Sequence, residues 1–326
     1  MGSAPRFPVS DHCDGRRFFN PRYHVNRSWL EVLRWKLTTR PASWPARVDV
    51  VPQPPPATPS GDGAVVTWVN HATFLLQTRA GAVLFDPVWA ERAGPFGWFG
   101  PRRVHAPGVR LEDLPALRAI LLSHDHYDHC DLPTLRILAA GHPDAVLVAP
   151  LGHARLGRRA GFATNRIKEL DWWDSYSING DAWTIRLTPA RHWSNRLHGL
   201  RNRRLWGGFS VRSGSRHVLF AGDTGHDDVM FAEIRQRCGP PDLALLPIGA
   251  YEPRWFMAAQ HCNPAEAVRL HDDLGARLSL GMHWGTFPLT DEARDEPLQA
   301  LQAALRATGR SEETFRTLAP GASLVI

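Results

Sequence analysis

A dense group of imidazole and carboxylate side chains follows a short apolar run in the first half of the chain. Segment 121–129 reads LLSHDHYDH, so three histidines and two aspartates occupy six successive positions. Neutral imidazole and carboxylate are ligands that Zn²⁺ and similar divalent ions accept readily. A turn leaving a strand can direct several such side chains at one point. This segment therefore predicts a metal site.

Three later residues of the same types stand where strands are expected to end. His192, Asp223 and His283 each follow a short apolar run, and glycine or an aromatic residue comes soon after each. A single histidine in such a place is more often an interior or surface residue than a ligand. Together with segment 121–129, the three positions favour one metal centre assembled from several strand ends.

This pattern resembles the metallo-β-lactamase superfamily, in which an H-x-H-x-D-H loop, a later His, an Asp in a G-D-T sequence and a final His build a two-metal centre. The resemblance extends from about residue 64 to the C-terminus. Within the superfamily, the chain is most similar to N-acyl-phosphatidylethanolamine-hydrolysing phospholipase D and its bacterial relatives. The segments that carry this similarity are 68–73, 85–88, 99–104, 169–173 and, most specifically, 249–257.

The resemblance implies two sets of three ligands joined by one bridging carboxylate. The ligands would be His124, His126 and His192 for one ion and Asp128, His129 and His283 for the other, with Asp223 as the bridge. Imidazole and carboxylate tolerate Zn²⁺, Mn²⁺ and iron, and we expect two divalent ions, in the first place Zn²⁺.

The same resemblance implies hydrolysis without a protein nucleophile. Two ions about 3.5 to 4 Å apart can hold a hydroxide and stabilise the attacking and leaving oxygens. Asp128, Asp223 and His261 are the expected catalytic residues, the first two positioning that hydroxide and the third donating a hydrogen bond to phosphate. No Gly-x-Ser-x-Gly motif for a serine nucleophile is present.

Substrate contacts are expected next to the ligands. The resemblance places Gln260 and His261 beside the cleft, and we expect Arg254 to contact substrate as well. For Tyr127, packing against a metal-binding ring and contact with substrate are both open.

The leading functional hypothesis is a phospholipase D type phosphodiesterase that cleaves N-acyl-phosphatidylethanolamine to N-acylethanolamine and phosphatidic acid. A lactonase or soluble phosphodiester hydrolase of the same superfamily is the alternative enzyme. A catalytically silent lipid-binding protein is the alternative outside enzymes. Nucleic acid is not an expected partner, because no aromatic and basic stripe that tracks single strands is recognisable.

Composition is that of a globular chain. Of the 326 residues, 43% are hydrophobic and 21% are charged, and no apolar run approaches the roughly 20 residues of a membrane helix. Four cysteines without a C-x-x-C pair and an N-terminus without a signal-peptide pattern predict a cytoplasmic protein, peripheral to the inner membrane face if it meets lipid. The resemblance is compatible with a homodimer and leaves the oligomeric state open.

The chain is basic, with a net charge of +6. Arginine can grip phosphate with two parallel hydrogen bonds, so this charge is compatible with phosphate-bearing lipid or an anionic membrane. The densest cluster follows His192 and consists of Arg196, Arg201, Arg203 and Arg204. A headgroup-binding patch and a solvated loop are equally open for it.

Residues 1–60 are predicted to form an N-terminal extension that packs on or near a hydrolase domain of residues 61–326. It contains a proline-rich spacer at 51–59 and a capping box, Ser28 to Glu31, that predicts a helix ending near Thr38. Packing of this helix on the core is favoured over contact with lipid, although its polar face is basic.

From Ala64 onward, β-rich runs alternate with helical patterns. Predicted strands are 64–69, 73–78, 82–86, 118–122, 145–149, 183–188, 206–212, 216–221, 242–247 and 278–282, and predicted helices are 132–140, 227–237, 264–274 and 291–307. By resemblance, these form a four-layer αββα sandwich, an α/β fold with two sheets inside and helices outside.

Overall fold

A computed structural model of the chain describes residues 6–23, 27–95, 99–178, 180–196 and 201–326. Its strands are β1 Val9–Ser10, β2 Cys13–Asp14, β3 Ala64–Asn70, β4 Thr73–Thr78, β5 Gly81–Phe85, β6 Leu117–Leu121, β7 Val146–Pro150, β8 Ile167–Leu170, β9 Ser175–Ile178, β10 Trp183–Thr188, β11 Gly208–Ser213, β12 Arg216–Phe220, β13 Leu243–Pro247, β14 Leu278–Met282, β15 Phe315–Arg316 and β16 Ser323–Val325. Its α-helices are α1 Trp29–Thr38, α2 Leu132–Gly141, α3 Ala154–Ala160, α4 Asp228–Cys238, α5 Arg254–Met257, α6 Pro264–Leu274 and α7 Glu296–Ala307.

Two seven-stranded sheets form the centre of the molecule. One has the order β16-β3-β4-β5-β6-β7-β8 and the other β15-β14-β13-β12-β11-β10-β9. Strands β5 to β8 run parallel in the first sheet, and β12 to β15 run parallel in the second. The αββα sandwich expected from the resemblance is confirmed.

Both faces of these strands are buried, which explains their nearly continuous apolar sequences. In β5, Val83 and Phe85 face the second sheet, and the Phe85 ring stacks on Phe220 with centroids 5.0 Å apart. Leu84 points the other way, toward the cluster that contains Leu135 and Leu138 of α2. Alternate side chains of one strand therefore supply two apolar layers, as the period-2 geometry of a strand requires.

The predicted helices and strands agree with the structure except at particular ends. The last helix begins at Glu296 and not at 291, because Thr290 and Glu292 form a loop in which the Glu292 carboxylate accepts hydrogen bonds from the backbone of Ala250 and Glu252. Strand β11 begins at Gly208 and not at 206. Eight short elements that lack a clear hydrophobic period were not predicted, namely β1, β2, β8, β9, β15, β16, α3 and α5.

Residues 6–23 lie against the end of the sandwich that carries the ligand loops. The buried His12 ring stacks on Trp172 at 4.2 Å, and its two nitrogens lie 2.6 Å from Asp11 and 2.8 Å from Asp171. Hydrogen bonds with two carboxylates require the protonated ring, and although burial opposes the charge, these partners raise the pKa of His12 above its ordinary value. Further along, the Asn20 amide donates to the His192 carbonyl at 2.9 Å.

Helix α1 has the predicted capping box, and Ser28 and Glu31 each accept a hydrogen bond from the other's backbone. Its Trp35 packs on Phe256 and donates to Asp291 at 2.7 Å. The division of the chain at residue 60 stays a prediction. Among the residues that the structure describes, no helix has the length and apolarity to cross a bilayer.

Candidate metal centre

The predicted ligands converge at one edge of the sandwich. Parallel strands of one sheet present their carboxyl ends at a common edge. The loop after β6 of the first sheet and the loops after β10, β12 and β14 of the second meet at the same end of the sandwich. All seven predicted ligands lie in this region, and they are His124, His126, Asp128, His129, His192, Asp223 and His283. Gly222 permits the turn before the bridging aspartate, because its φ is +62° and a Cβ atom there would lie 2.8 Å from the Gly207 carbonyl oxygen.

Three imidazole nitrogens form the first ligand group. His126 Nδ1 lies 2.9 Å from His124 Nε2 and 3.2 Å from His192 Nε2. Two neighbouring ligands of a tetrahedral zinc are separated by roughly 3.3 Å when each Zn–N bond is about 2.05 Å. The spacing of the three nitrogens therefore fits ligation of one cation.

The second group joins the first through one carboxylate oxygen. Asp223 Oδ2 lies 3.1 Å from both His129 Nε2 and His283 Nε2, and 3.9 and 3.8 Å from His124 Nε2 and His192 Nε2. Asp128 Oδ2 adds a second oxygen, 3.2 Å from His283 Nε2. The carboxylate predicted as the bridge thus lies between both groups.

Electrostatics of the site favour cations. The pKa values of Asp128 and Asp223 lie well below their ordinary range despite burial, because the neighbouring histidines favour the ionised carboxylates. Although burial disfavours a charged His283, Asp223 and Asp128 raise its pKa to about 9. Two buried carboxylates that stay ionised provide the negative potential that divalent ions need.

Asp86 orients two of the predicted ligands through hydrogen bonds, and the sequence analysis did not identify it as a site residue. Its Oδ2 accepts from His129 Nδ1 at 2.6 Å and from Ser123 Oγ at 2.5 Å, while its Oδ1 accepts from the Ser123 backbone at 2.7 Å. Ser123 Oγ in turn lies 2.9 Å from His124 Nδ1. These contacts fix the tautomers that leave the Nε2 lone pairs of His124 and His129 free for metal.

His71 was also missed, because it follows β3 without any neighbouring ligand type. Its buried Nε2 donates to Asp128 Oδ2 at 3.0 Å, and burial together with His283 lowers its pKa to about 3, so the ring is neutral. His71, Asp86 and His283 all have positive φ, at 44°, 37° and 65°. Such strained backbone in residues other than glycine concentrates at functional sites, and this signal exists only in the structure.

A cavity of about 300 Å³ opens onto the ligands. Its floor contains ligand side chains of both groups. Its wall is largely apolar and includes Val32 and Trp35 of α1, Phe256 and Met257 of α5, and Leu289. The cavity thus joins a charged floor to an apolar side.

The predicted substrate residues divide into two pairs. Gln260 and His261 line the cavity, and the buried His261 Nδ1, 4.0 Å from Asp223, has no hydrogen-bond partner among the described residues. Tyr127 and Arg254 do not line it: the Tyr127 hydroxyl donates to the Arg196 carbonyl, and Arg254 pairs with Glu266 at 2.7 Å and donates to the His261 carbonyl. Both side chains hold loops in place in this structure, and a substrate contact of either one stays a prediction.

The arginine cluster is not one patch. Arg196 donates to the carbonyls of Asp125 and Cys130, and Arg204 pairs with the buried Asp125 at 2.6 Å. Arg203 is exposed. Only Arg201 lines the cavity.

Comparison with known proteins gives three findings. Residues 82–284 match the family model described as "Beta-lactamase superfamily domain". The chain is 41% identical over 261 residues, 78% of its length and 73% of the relative, to N-acyl-phosphatidylethanolamine-hydrolyzing phospholipase D 1 of Caenorhabditis elegans, and 33% identical over 240 residues, 72% of its length and 50% of the relative, to the mitochondrial protein of that name in Saccharomyces cerevisiae. The structure of Igni18, a metallo hydrolase of Ignicoccus hospitalis, superposes with a TM-score of 0.60 at 20% identity, covering 81% of this chain and 98% of Igni18.

Proposed function

The chain belongs to the beta-lactamase superfamily and is a metal-dependent hydrolase, and from this premise we propose that it is a binuclear phosphodiesterase of the phospholipase D type. Its substrate in this proposal is N-acyl-phosphatidylethanolamine. The observation that carries the proposal is the cavity in which the ligand cluster meets an apolar wall, which suits a phosphodiester that continues into acyl chains. The 41% identity to a phospholipase of this specificity supports it.

One ion would be held by His124, His126 and His192, and the other by Asp128, His129 and His283. Asp223 would contact both ions. When bound, such ions polarise phosphoryl oxygens and make water reactive near neutral pH; zinc suits this set of nitrogen and oxygen ligands.

The chain's own residues hold and orient the substrate. Burial lowers the pKa of His261 to about 4, so the ring is neutral at pH 7 and can carry its proton on the unpartnered Nδ1. From that atom it donates a hydrogen bond to a phosphoryl oxygen. Val32, Trp35 and Met257 supply apolar surface that excludes water from part of the same cavity.

Hydrolysis in H₂¹⁸O tests the bond that is broken. One water adds across the phosphorus–oxygen bond to the ethanolamine; its oxygen joins phosphorus, and a proton ends on the leaving alcohol. We expect phosphatidic acid that carries the label and N-acylethanolamine that does not, measured by mass spectrometry. Release of free fatty acid alone, or label in the N-acylethanolamine, would contradict the assignment.

Contact with a lipid surface through α1 is part of the proposal. Trp29, Leu30, Leu33 and Leu37 form one exposed apolar arc of the helix, and Trp29 and Leu37 are 72% and 76% exposed. At 100° per residue, Arg34 and Lys36 flank this arc on its two sides. An apolar stripe bordered by basic residues suits an anionic lipid interface, and Trp35 on the other side of the helix faces the cavity.

We expect the double variant L33E/L37E to bind anionic phospholipid vesicles at least about tenfold more weakly than the unaltered chain, because each leucine contributes roughly 1.5 kcal/mol or more when buried in lipid. Vesicle sedimentation measures the binding. The matched control is V9E, which charges an exposed valine outside α1. Equal binding by all three proteins would remove α1 from the proposed contact.

The same purified protein tests the two alternative functions. A lactonase would hydrolyse a lactone faster than any phosphodiester. A catalytically silent lipid-binding protein would hydrolyse neither a lactone nor a phosphodiester. A homodimer and a cytoplasmic location stay predictions.

A further inference from the structure

Arg201 differs from the other charged groups around the cavity. It lines the cavity together with His126, Asp128 and Asp223. Its guanidinium stacks on the Trp193 ring at 4.2 Å, and that ring packs edge-on against the His126 ring at 4.5 Å. One aromatic side chain therefore separates the guanidinium from a metal-ligating imidazole.

The charge of Arg201 is not neutralised by the residues that the structure describes. Its contacts with polar groups there amount to one long hydrogen bond, 3.5 Å, from Nη1 to the Arg27 carbonyl. The Nε–H is buried and has no partner among the same residues. Burial alone lowers its pKa, and no carboxylate opposes that effect. A cation that lines the cavity without a carboxylate partner among the described residues favours an anionic ligand there.

The second arginine at the cavity, Arg27, is already satisfied. It pairs with Glu31 at 2.7 Å and donates to the carbonyls of Trp255 and Phe256 at 2.7 and 3.1 Å. Its cation is thus committed to joining α1 to α5.

We propose that Arg201, held over the Trp193 ring, is the specificity-determining residue that selects a phosphodiester monoanion over neutral esters at this site. The proposal rests on the proposed function and names the group that would recognise the phosphate. A guanidinium presents forked donors that match two oxygens of a phosphodiester, and contact with an indole ring restricts the side chain before the substrate arrives. A neutral lactone or ester offers no charge to this cation.

Calorimetry on the metal-loaded full chain tests the proposal with a matched ligand pair, the diethyl phosphate monoanion and neutral triethyl phosphate. We expect R201Q to bind diethyl phosphate about 10- to 100-fold more weakly, the range of a hydrogen bond to a charged group, with a much smaller loss for triethyl phosphate. R203Q, which removes an exposed arginine of the same loop, is the control. Equal losses for R201Q and R203Q, or an unchanged preference in R201Q, would overturn the proposal.

Should R201Q fail to fold by circular dichroism, R201K decides. Lysine keeps the charge without the forked donors, so a loss of about 3- to 10-fold for diethyl phosphate supports the proposal, and none overturns it.

Turnover of bis-p-nitrophenyl phosphate and of N-acyl-phosphatidylethanolamine in mixed micelles distinguishes the source of the phosphodiester. A higher KM in R201Q for both substrates assigns recognition to any phosphodiester, and a higher KM for the lipid alone assigns it to the lipid headgroup. If the unaltered enzyme cleaves neither, the proposed function fails, while the binding measurements still decide the role of Arg201.

Discussion

The variant D223N is expected to lose more than about 100-fold in turnover. Replacing a residue that only hydrogen-bonds to a metal ligand lowers metal affinity or activity by about 10- to 100-fold, and replacing a ligand itself should have a larger effect. Asp223 Oδ2 lies within 4 Å of four ligand nitrogens, so the substitution affects both groups of ligands. An amide keeps the shape of the side chain but removes its negative charge. We therefore also expect the metal content, measured by plasma emission spectrometry, to fall well below the two ions per chain expected for the unaltered protein.

Two further ligand variants, D128N and H283A, should likewise abolish turnover and leave the fold intact by circular dichroism. The control is D144N, which alters an exposed aspartate in the loop before β7 and should keep full activity and metal. Undiminished activity in metal-free protein, or in D223N, would refute a metal-dependent reaction at this site.

The variant D86N is expected to weaken metal binding by about 10- to 100-fold without touching a ligand. The two oxygens of Asp86 accept three hydrogen bonds, from the Ser123 backbone, from Ser123 Oγ and from His129 Nδ1. Asparagine has one accepting oxygen. If its amide nitrogen faces His129, the ring must carry its proton on Nε2, where it blocks ligation; if it faces Ser123, a buried backbone N–H loses its acceptor.

Competition with a chelating indicator measures this change, and the variant S123A separates the two ligand groups. S123A removes the contact to His124 Nδ1 and keeps the one between Asp86 and His129, so it should weaken the ion at His124, His126 and His192 and spare the other. Metal affinity in D86N equal to that of the unaltered chain would contradict the role assigned to Asp86.

The sequence predicted that seven side chains would converge, because candidate metal ligands are particular residue types at strand ends, and both properties can be read from a sequence. Segment 121–129 and the three later positions met these conditions, and the structure brings all seven side chains together. Most strands were predicted within one or two residues for a similar reason, since strands buried on both faces are continuous apolar runs.

What the sequence did not reveal depends on contacts across the fold. Asp86 and His71 are 43 and 57 positions from the partners that they hold, His129 and Asp128. Tyr127 stands between predicted ligands in the sequence, and Arg254 begins the helix α5 that lines the cavity, yet their polar atoms contact the carbonyls of Arg196 and His261. Adjacency along the chain therefore predicts a side chain's neighbourhood better than its direction.

The hydrogen bond from Asn20 to the His192 carbonyl affects which limits a recombinant fragment of this protein should have. The conserved-domain match starts at residue 82, so a recombinant fragment with those limits would lack Asn20, α1 and the strand pair around His71. Such a fragment would retain all seven predicted metal ligands. It would lose the hydrogen bond from Asn20 to the His192 loop, the hydrogen bond from His71 to Asp128, and the part of the cavity wall that α1 supplies. The proposed catalytic unit of this chain is therefore larger than the segment that matches the family model.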